Sequence, residues 1–221
     1  MTNLKDKKAV VIVGSEGFIG RELKKKCLAK GFHVVTVDTV VSDHADHFEF
    51  DIRSAEIAGA IPEGADAVIN LAAISRHDTC RDDPHLALGV NVLGTLNLIK
   101  AATERNVKQF IFASTDWVYG DTHGKTPLTE EQVIDVAKIE TEYALTKLTG
   151  EQSLRLAHQR GACAVTVLRF GIVYGPPPNN NGAIESLFAA VQTQDVVQVG
   201  SLATARRFIH ISDLAEGICS A

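Results

Sequence analysis

The sequence predicts an α/β protein with a doubly wound parallel sheet. Short apolar segments rich in valine and isoleucine, such as AVVIV at 9–13, alternate with segments of helical length. Strands that are apolar on both sides are typical of parallel sheets covered by helices on both faces. The 221 residues, 45% hydrophobic and 22% charged, are enough to bury one such core. We therefore expect one main domain with at most a small appendage.

The predicted elements follow a regular order up to Val173. Strands are predicted at 9–13, 33–38, 48–51, 65–73, 109–115 and 163–170, and helices at 18–31, 87–106 and 136–161. The proline- and asparagine-rich run at 175–182 predicts a loop. Beyond it the pattern indicates a short helix at 183–192, a strand-like segment at 196–200, the segment RRFIHI at 206–211 and a last helix from Ser212. The chain ends inside this last pattern, so it is either compact or cut short.

Composition and charge exclude several classes of protein. A formal net charge of −5 gives no electrostatic reason to expect nucleic acid. No apolar run reads as long enough to span a bilayer, and the charged N-terminus lacks the apolar core of a secretory signal. The four cysteines, at 27, 80, 163 and 219, show no CxxC spacing, which favours free thiols over disulfides or a metal site. We expect a cytoplasmic protein without a bound metal.

A glycine-rich loop follows the first strand and opens the first helix. Gly14, Gly17 and Gly20 allow a tight turn that brings backbone amides close to a pyrophosphate at a helix N-terminus. Asp38 ends the second strand, where a carboxylate accepts hydrogen bonds from the adenosine ribose and repels a 2′-phosphate. The pattern favours NAD over NADP; the alternative is a glycine turn that only packs against a helix.

Five further motifs lie in a fixed order along the chain: Asn70-Leu-Ala-Ala, Asn91-Val-Leu-Gly-Thr, Ser114-Thr-Asp-Trp-Val-Tyr-Gly, Tyr143-x-x-x-Lys147 and Leu168-Arg-Phe-Gly-Ile-Val-Tyr-Gly-Pro. With the GxxGxxG spacing of the loop, this set resembles the extended short-chain dehydrogenase/reductase family, the NAD-dependent epimerase/dehydratase group. The resemblance covers nearly the whole chain. It implies a Rossmann fold, an NAD cofactor and a small C-terminal substrate region.

The candidate reacting centre combines Thr115, Tyr143 and Lys147. Tyr143 and Lys147 are four residues apart, so on a helix they share a face. An ammonium near the phenol favours the phenolate, which can then take a proton from a substrate hydroxyl. Thr115, at the carboxyl end of a strand, can hold the same substrate oxygen, and the resemblance implies these same roles. The alternatives are a packed tyrosine with a wet hydroxyl and a lysine on a solvated face.

The resemblance implies further contacts with the cofactor. Asp51 and Ile52 match the pair that meets the adenine, and Phe18 and Ile19 open the helix behind the pyrophosphate. Asn91 matches a position that braces a helix pair, so we expect a structural role there. The full set of expected cofactor contacts is Gly14, Gly17, Phe18, Ile19, Gly20, Asp38, Asp51, Ile52, Leu71, Ala72, Ala73, Tyr143 and Lys147.

Substrate contacts are also expected from the resemblance. Sugar-nucleotide dehydratases of the family carry glutamate where this chain has Trp117, so one group for eliminating water is absent. Arg206 matches an arginine that meets a substrate diphosphate, with a pair of surface arginines as the alternative. Thr115, Asp116, His77 and Asn180 complete the expected substrate set. The last two are ambiguous, because a loop histidine and a polar turn are more often solvated.

The resulting prediction is an NAD-dependent sugar-nucleotide epimerase. A dehydrogenase, reductase or dehydratase of a sugar nucleotide or other small alcohol or carbonyl is the second interpretation, and a non-catalytic NAD-binding protein is the third. Residues 1–173 are expected to form the NAD-binding domain with the catalytic residues. Residues 174–221 are expected to form a partial substrate region interleaved with its end. The resemblance implies a homodimer through the helices around 87–106 and 136–160.

Overall fold

A six-stranded, fully parallel sheet organises the protein, whose computed structural model describes residues 7–120, 128–176, 182–200 and 206–221. The strand order is β3-β2-β1-β4-β5-β6, so the direction of winding reverses between β1 and β4. The strands are β1 (Ala9–Val13), β2 (His33–Asp38), β3 (His47–Glu49), β4 (Ala67–Asn70), β5 (Gln109–Thr115) and β6 (Ala164–Phe170).

Helices cover both faces of the sheet, as the apolar strands require. The helices are α1 (Phe18–Ala29), α2 (His77–Asp82), α3 (Pro84–Leu88), α4 (Thr95–Glu104), α5 (Glu142–Gln159), α6 (Ala183–Thr193) and α7 (Ile211–Ser220). On β1, Val10 and Ile12 pack with α1 and α7, while Val11 and Val13 pack with α4 and α5. Alternate residues of one strand thus enter separate cores, which explains the continuous apolar run in the sequence.

A wide helical segment, Gly89–Gly94, joins α3 to α4. It contains Asn91, which is fully buried. The Asn91 side-chain amide donates to the Ile74 carbonyl at 2.9 Å and to Thr146 Oγ1 at 3.0 Å, and its Oδ1 accepts from the Ile74 N–H at 2.8 Å. Asn91 therefore fixes the loop after β4 to α5. The structural role expected for this residue is confirmed by these hydrogen bonds.

The continuous helix Pro84–Glu104 is long and apolar enough, by length and composition alone, to cross a membrane. This finding differs from the expectation that no apolar run has that length. Half of its most apolar window is buried within the protein, and Leu98, Ile99 and Ala102 belong to the core under the sheet. Its apolar character is accounted for by packing, as in a core helix.

A small parallel pair of strands lies beyond the main sheet. It consists of β7 (Ile172–Tyr174) and β8 (Phe208–His210), which lead into α6 and α7 respectively. α7 packs against α1 through Leu214, Ala215 and Ile218, so the C-terminal segment contributes to the main core. The boundary at residues 173 and 174 stays a prediction.

Most predicted elements agree with the structure within a few residues. The helix expected at 136–161 begins at Glu142, because Thr141 caps its N-terminus by accepting a hydrogen bond from the Ala144 N–H. Only a short 3₁₀ turn forms at Val136–Lys138. The prediction of a strand-like segment at 196–200 is wrong, because this segment forms no strand and Val196 is 84% exposed. Without a neighbouring strand, β-branched residues alone do not make a strand.

Two glycines in helices provide a matched test of core packing. A Cβ built at Gly150 of α5 would lie 2.8 Å from Cζ of the buried Phe112 ring, whereas one at Gly217 of α7 meets nothing within 4 Å. We expect Gly150→Ala to lower the free energy of unfolding by about 1–3 kcal/mol through overpacking. Gly217→Ala should raise it by up to about 1 kcal/mol through helix propensity. Urea unfolding of both variants tests this; equal effects would contradict the packing argument.

Candidate active site

Two adjoining cavities open at the carboxyl edge of the sheet, next to the reversal between β1 and β4. The larger has a volume of about 840 Å³ and the smaller about 400 Å³. Both are lined by Gly14, Gly17, Leu71 and Ala73. Of the residues predicted from the sequence, the larger cavity also contains Phe18, Ile19, Gly20, His77, Tyr143 and Lys147, and the smaller contains Asp38, Asp51, Ile52 and Ala72.

The glycine loop is pressed against the end of β4. Gly14 has φ +84°, and a Cβ there would lie 2.7 Å from the Ala72 nitrogen and 2.9 Å from the Leu71 carbonyl carbon. A side chain at this position is therefore excluded both by conformation and by space. The loop backbone remains uncovered between the two cavities, at the N-terminus of α1, where amides and the helix dipole favour an anion.

Asp38 is held in a fixed orientation at the end of β2. Its Oδ2 accepts from the Glu16 N–H at 2.8 Å and its Oδ1 accepts from the Val40 N–H at 3.1 Å. Each carboxylate oxygen keeps further acceptor capacity for a ligand hydroxyl. The Asp38 carboxylate is thus suited to bind the adenosine ribose, as the sequence predicted.

α5 presents Tyr143 and Lys147 to the larger cavity. Lys147 is 2% exposed, so the solvated-face alternative for this lysine is wrong. Its Nζ lies 4.8 Å from the centre of the Phe112 ring and 5.8 Å from the centre of the Tyr143 ring. Burial lowers the pKa of Lys147 to about 8, while Cys80 and Glu151 oppose the shift.

The Tyr143 phenol does not have the acidity expected from its spacing to Lys147. Burial raises the pKa of Tyr143 above its usual value, and the nearby Cys80 and Asp116 raise it further. The lysine ammonium lies over the ring of the tyrosine, so desolvation outweighs its effect in the protein alone. Additional positive charge in the same cavity would lower the phenol pKa.

Thr115 is 6% exposed and ends β5 directly after Ser114, which lines the larger cavity. Its Oγ1 accepts a hydrogen bond from the Trp117 N–H at 3.3 Å. The Trp117 ring packs edge-on against the Tyr143 ring, with 6.3 Å between centroids. Thr115 therefore lies behind the cavity surface, in the strand that positions Ser114 and Trp117.

Neither Asp116 nor Arg206 lines either cavity, although Asp116 directly follows Thr115 in the turn Asp116–Tyr119. Burial raises the pKa of Asp116, and the charges of Arg207 and Arg206 oppose the shift. The Oδ1 atom of Asp116 is buried and has no hydrogen-bond partner among the described residues.

His77 opens α2 at the cavity rim beside Arg76, and both are exposed. Asn180, also predicted to contact substrate, lies outside the described residues.

A buried ion pair beneath the site was missed by sequence reasoning. Glu151 is 4% exposed and follows Lys147 by one helical turn. Its carboxylate accepts from Ser114 Oγ and forms two hydrogen bonds with Arg169 of β6, at 2.7 and 3.1 Å. Arg169 also donates to Tyr119 Oη at 2.7 Å. The available signal was the i, i+4, i+8 stripe of Tyr143, Lys147 and Glu151 on one helix face.

Comparison with known families identifies the chain. The family model described as "NAD dependent epimerase/dehydratase family" matches residues 10–221. The chain belongs to the NAD-dependent epimerase/dehydratase family. It is therefore an enzyme of the extended short-chain dehydrogenase/reductase type, and the resemblance stated from its motifs is confirmed.

Family members with known sequences and structures are similar over most of this chain. It is 28% identical to an uncharacterized UDP-glucose epimerase of Bacillus subtilis, over 95% of this chain and 71% of that protein. It is 30% identical to a UDP-N-acetyl-α-D-glucosaminuronate decarboxylase of Bacillus cytotoxicus, over 97% and 71% respectively. The Thermus thermophilus UDP-glucose 4-epimerase complex with NAD matches with a TM-score of 0.83 and 27% identity, over 96% and 74%.

The cofactor is NAD, as in the family and its solved complexes. The residues present fit this group. Gly14 leaves the space that a Cβ would fill, the N-terminus of α1 faces both cavities, and the Asp38 carboxylate is anchored at the smaller one. Asp51 and Ile52 line the same smaller cavity, where the sequence predicted contacts with adenine.

The burial of Lys147 makes a prediction about stability and pH. The unfolded chain retains the lysine proton up to about pH 10.5, whereas the folded protein releases it near pH 8. The unfolded state therefore binds more protons between these values, and stability from this residue rises with pH across that window. From about pH 7 to pH 10, the wild type should gain on the order of 2 kcal/mol relative to Lys147→Met.

Urea unfolding at both pH values measures this difference. Lys100→Met is the control, because Lys100 is an exposed lysine of α4 with a side chain 74% accessible. The control should give a difference that does not change with pH. The same flat result for Lys147→Met would show that the ammonium is not penalised by burial.

Proposed function

We propose that the protein is an NAD-dependent sugar-nucleotide epimerase. The observation that carries the proposal is that Tyr143 and Lys147 line the same cavity as the glycine loop, at the carboxyl edge of the sheet. A phenol in this place can exchange a proton with a substrate hydroxyl beside a bound nicotinamide. The relatives named above include a UDP-glucose epimerase and a UDP-glucose 4-epimerase, which supports a nucleotide sugar as substrate.

The chain's own residues supply binding and proton transfer. NAD supplies the hydride acceptor and donor. Tyr143 Oη takes the proton of the sugar hydroxyl as the carbon is oxidised, and gives it back when the carbonyl is reduced. Lys147 provides positive charge beside the phenol. A role for Thr115 in holding the reacting oxygen stays a prediction from the sequence, because Ser114 and not Thr115 lines the larger cavity. Asp38 and the amides of the glycine loop bind the ribose and the pyrophosphate.

Trp117, the second residue after Thr115, supports epimerisation over dehydration. Epimerisation at a carbinol carbon needs hydride removal, a turn of the keto sugar and hydride return, whereas elimination of water also needs an acid and a base at neighbouring carbons. Trp117 occupies the position of one such group and is 41% exposed at the Tyr143 ring. Dehydration remains the second candidate because burial raises the pKa of Asp116, as a proton donor requires.

The remaining substrate contacts are assigned from position. His77 lies at the rim of the larger cavity, and Arg206 lies near Asp116, where a guanidinium can bind a diphosphate. Asn180 is retained only as a prediction from the sequence. We also retain the cytoplasmic location and the domain division at residues 173 and 174 as predictions.

The Tyr143→Phe variant tests the mechanism. Removing the phenolic oxygen should lower turnover by about 10²- to 10⁴-fold with little change in NAD affinity, because the ring still packs against Trp117. The assay supplies NAD with a panel of UDP-, GDP- and dTDP-sugars and follows NADH absorbance together with the sugar products. Tyr174→Phe is the control, because this tyrosine packs against Phe208 and His210 of β8 and lines neither cavity.

The same assay separates the alternatives. An epimerase yields a new sugar without net NADH, a dehydrogenase accumulates NADH, and a dehydratase yields an unsaturated or deoxy keto sugar. A protein that binds NAD but turns over no sugar in the panel would support the non-catalytic interpretation. Unchanged turnover in Tyr143→Phe would remove Tyr143 from the mechanism.

A homodimer through α4 and α5 is the proposed assembly. Leu93, Leu96, Leu145 and Leu156 are apolar side chains of this region that remain 38–62% exposed. We expect Leu93→Glu to lower the apparent mass in sedimentation from dimer to monomer. Leu28→Glu, on the opposite side of the sheet and 46% exposed, should leave it unchanged. A wild-type protein that sediments as a monomer would contradict the proposal.

A further inference from the structure

Two cysteines meet where the last helix packs against the first. Cys27 of α1 and Cys219 of α7 are 192 residues apart in the chain, and their sulfur atoms lie 3.5 Å apart. Cys27 is 1% exposed in the core that α1 and α7 share, whereas Cys219 is partly exposed at its edge. Both are free thiols. A disulfide needs a sulfur–sulfur distance of about 2.0 Å, so an approach of roughly 1.5 Å separates this contact from a bond.

Ion pairs join the two helices beside the thiols. Lys30, directly after α1, has its Nζ 2.5 Å from Glu216 Oε1, and Lys26 Nζ lies 3.5 Å from Glu216 Oε2. Glu216 and Cys219 are three residues apart, as are Cys27 and Lys30, so each pair of positions lies within one helical turn. The two sulfur atoms therefore face each other across an interface whose register is also fixed by charge.

We propose that Cys27 and Cys219 form a redox modification site, at which a small disulfide oxidant such as oxidised glutathione produces an intramolecular disulfide that links α7 to α1. The bond closes the chain over 192 residues, and a long closed loop restricts the unfolded state strongly. In reducing compartments such bonds are mostly transient and serve in redox sensing. Neither cysteine lines the two cavities, so the pair is separate from the site assigned to NAD and the sugar nucleotide.

The exchange begins at Cys219, because this thiol is the more accessible of the pair. After its proton passes to water, the Cys219 thiolate attacks one sulfur of the oxidant, which forms a mixed disulfide and releases one glutathione. The Cys27 thiol then attacks the Cys219 sulfur, and its proton passes to the second glutathione as that leaves. Two protein thiols are oxidised, and one glutathione disulfide is reduced to two thiols. Burial raises the pKa of the Cys27 thiol, so the second step is the slower one.

The experiment incubates the full chain with oxidised glutathione, then measures peptide masses without reduction and the midpoint of thermal unfolding. The wild type should yield a linked pair of peptides that contain Cys27 and Cys219, with a midpoint raised by about 5–15 °C. Dithiothreitol should reverse both changes. Cys27→Ser should stop at glutathione bound to Cys219, without the rise. Cys163→Ser is the matched control and should behave as the wild type, because this partly exposed thiol lies directly before β6 and outside the pair.

Each variant is compared with its own reduced form, because loss of the buried Cys27 thiol can by itself lower stability. Cys219→Ser, at the less buried position, should show neither the linked peptides nor glutathione on Cys27. Absence of the linked peptides from the oxidised wild type overturns the proposal, as does a link that leaves the midpoint unchanged or lowers it. An equal rise in Cys27→Ser or Cys219→Ser also overturns it. Failure of the sugar assay would count against the proposed function alone.

Discussion

Burial of the Lys147 ammonium is the constraint on which the rest of the site depends. A buried charge is costly unless its surroundings compensate it. Here the compensation comes from the face of the Phe112 ring and, one helical turn away, from the Glu151 carboxylate. Glu151 is itself held by Ser114 of β5 and Arg169 of β6. Through Glu151, the Lys147 cation of α5 is thus connected to β5 and β6 beneath the cavity.

Burial also acts on the tyrosine, because it raises the pKa of the Tyr143 phenol above its usual value. Desolvation raises the pKa of Tyr143, and Lys147 Nζ lies 5.8 Å from the centre of the Tyr143 ring. The raised pKa keeps this phenol protonated at neutral pH. Positive charge arriving with the oxidised cofactor is what would shift the balance toward the phenolate. Under the proposed function, proton transfer by Tyr143 would thus depend on cofactor binding through electrostatics.

The parts of the protein that follow from local rules were predictable from the sequence. Continuous apolar strands fix a parallel sheet, and the loop at Gly14 and the acid at Asp38 fix the cofactor end, because each depends on residues close in the chain. The Glu151–Arg169 pair was not predictable, since it joins a helix to a strand that become neighbours only through the sheet order. The lowered pKa expected for the Tyr143 phenol was wrong for a similar reason. Sequence spacing gives the distance between two residues of a helix, whereas burial depends on the whole fold.

The cofactor end and the reacting end of the site are built from different kinds of residue. The cofactor end is built from backbone atoms and anchored carboxylates, which few chemical groups other than a dinucleotide satisfy. The reacting end is built from side chains on short elements at the rim, such as Trp117 on a 3₁₀ turn and His77 at the start of α2. Substitution of one such side chain changes which bond is broken without disturbing the sheet. Under the proposed function, Trp117 favours epimerisation, because it leaves Asp116 as the one carboxylate of the turn Asp116–Tyr119 near the phenol.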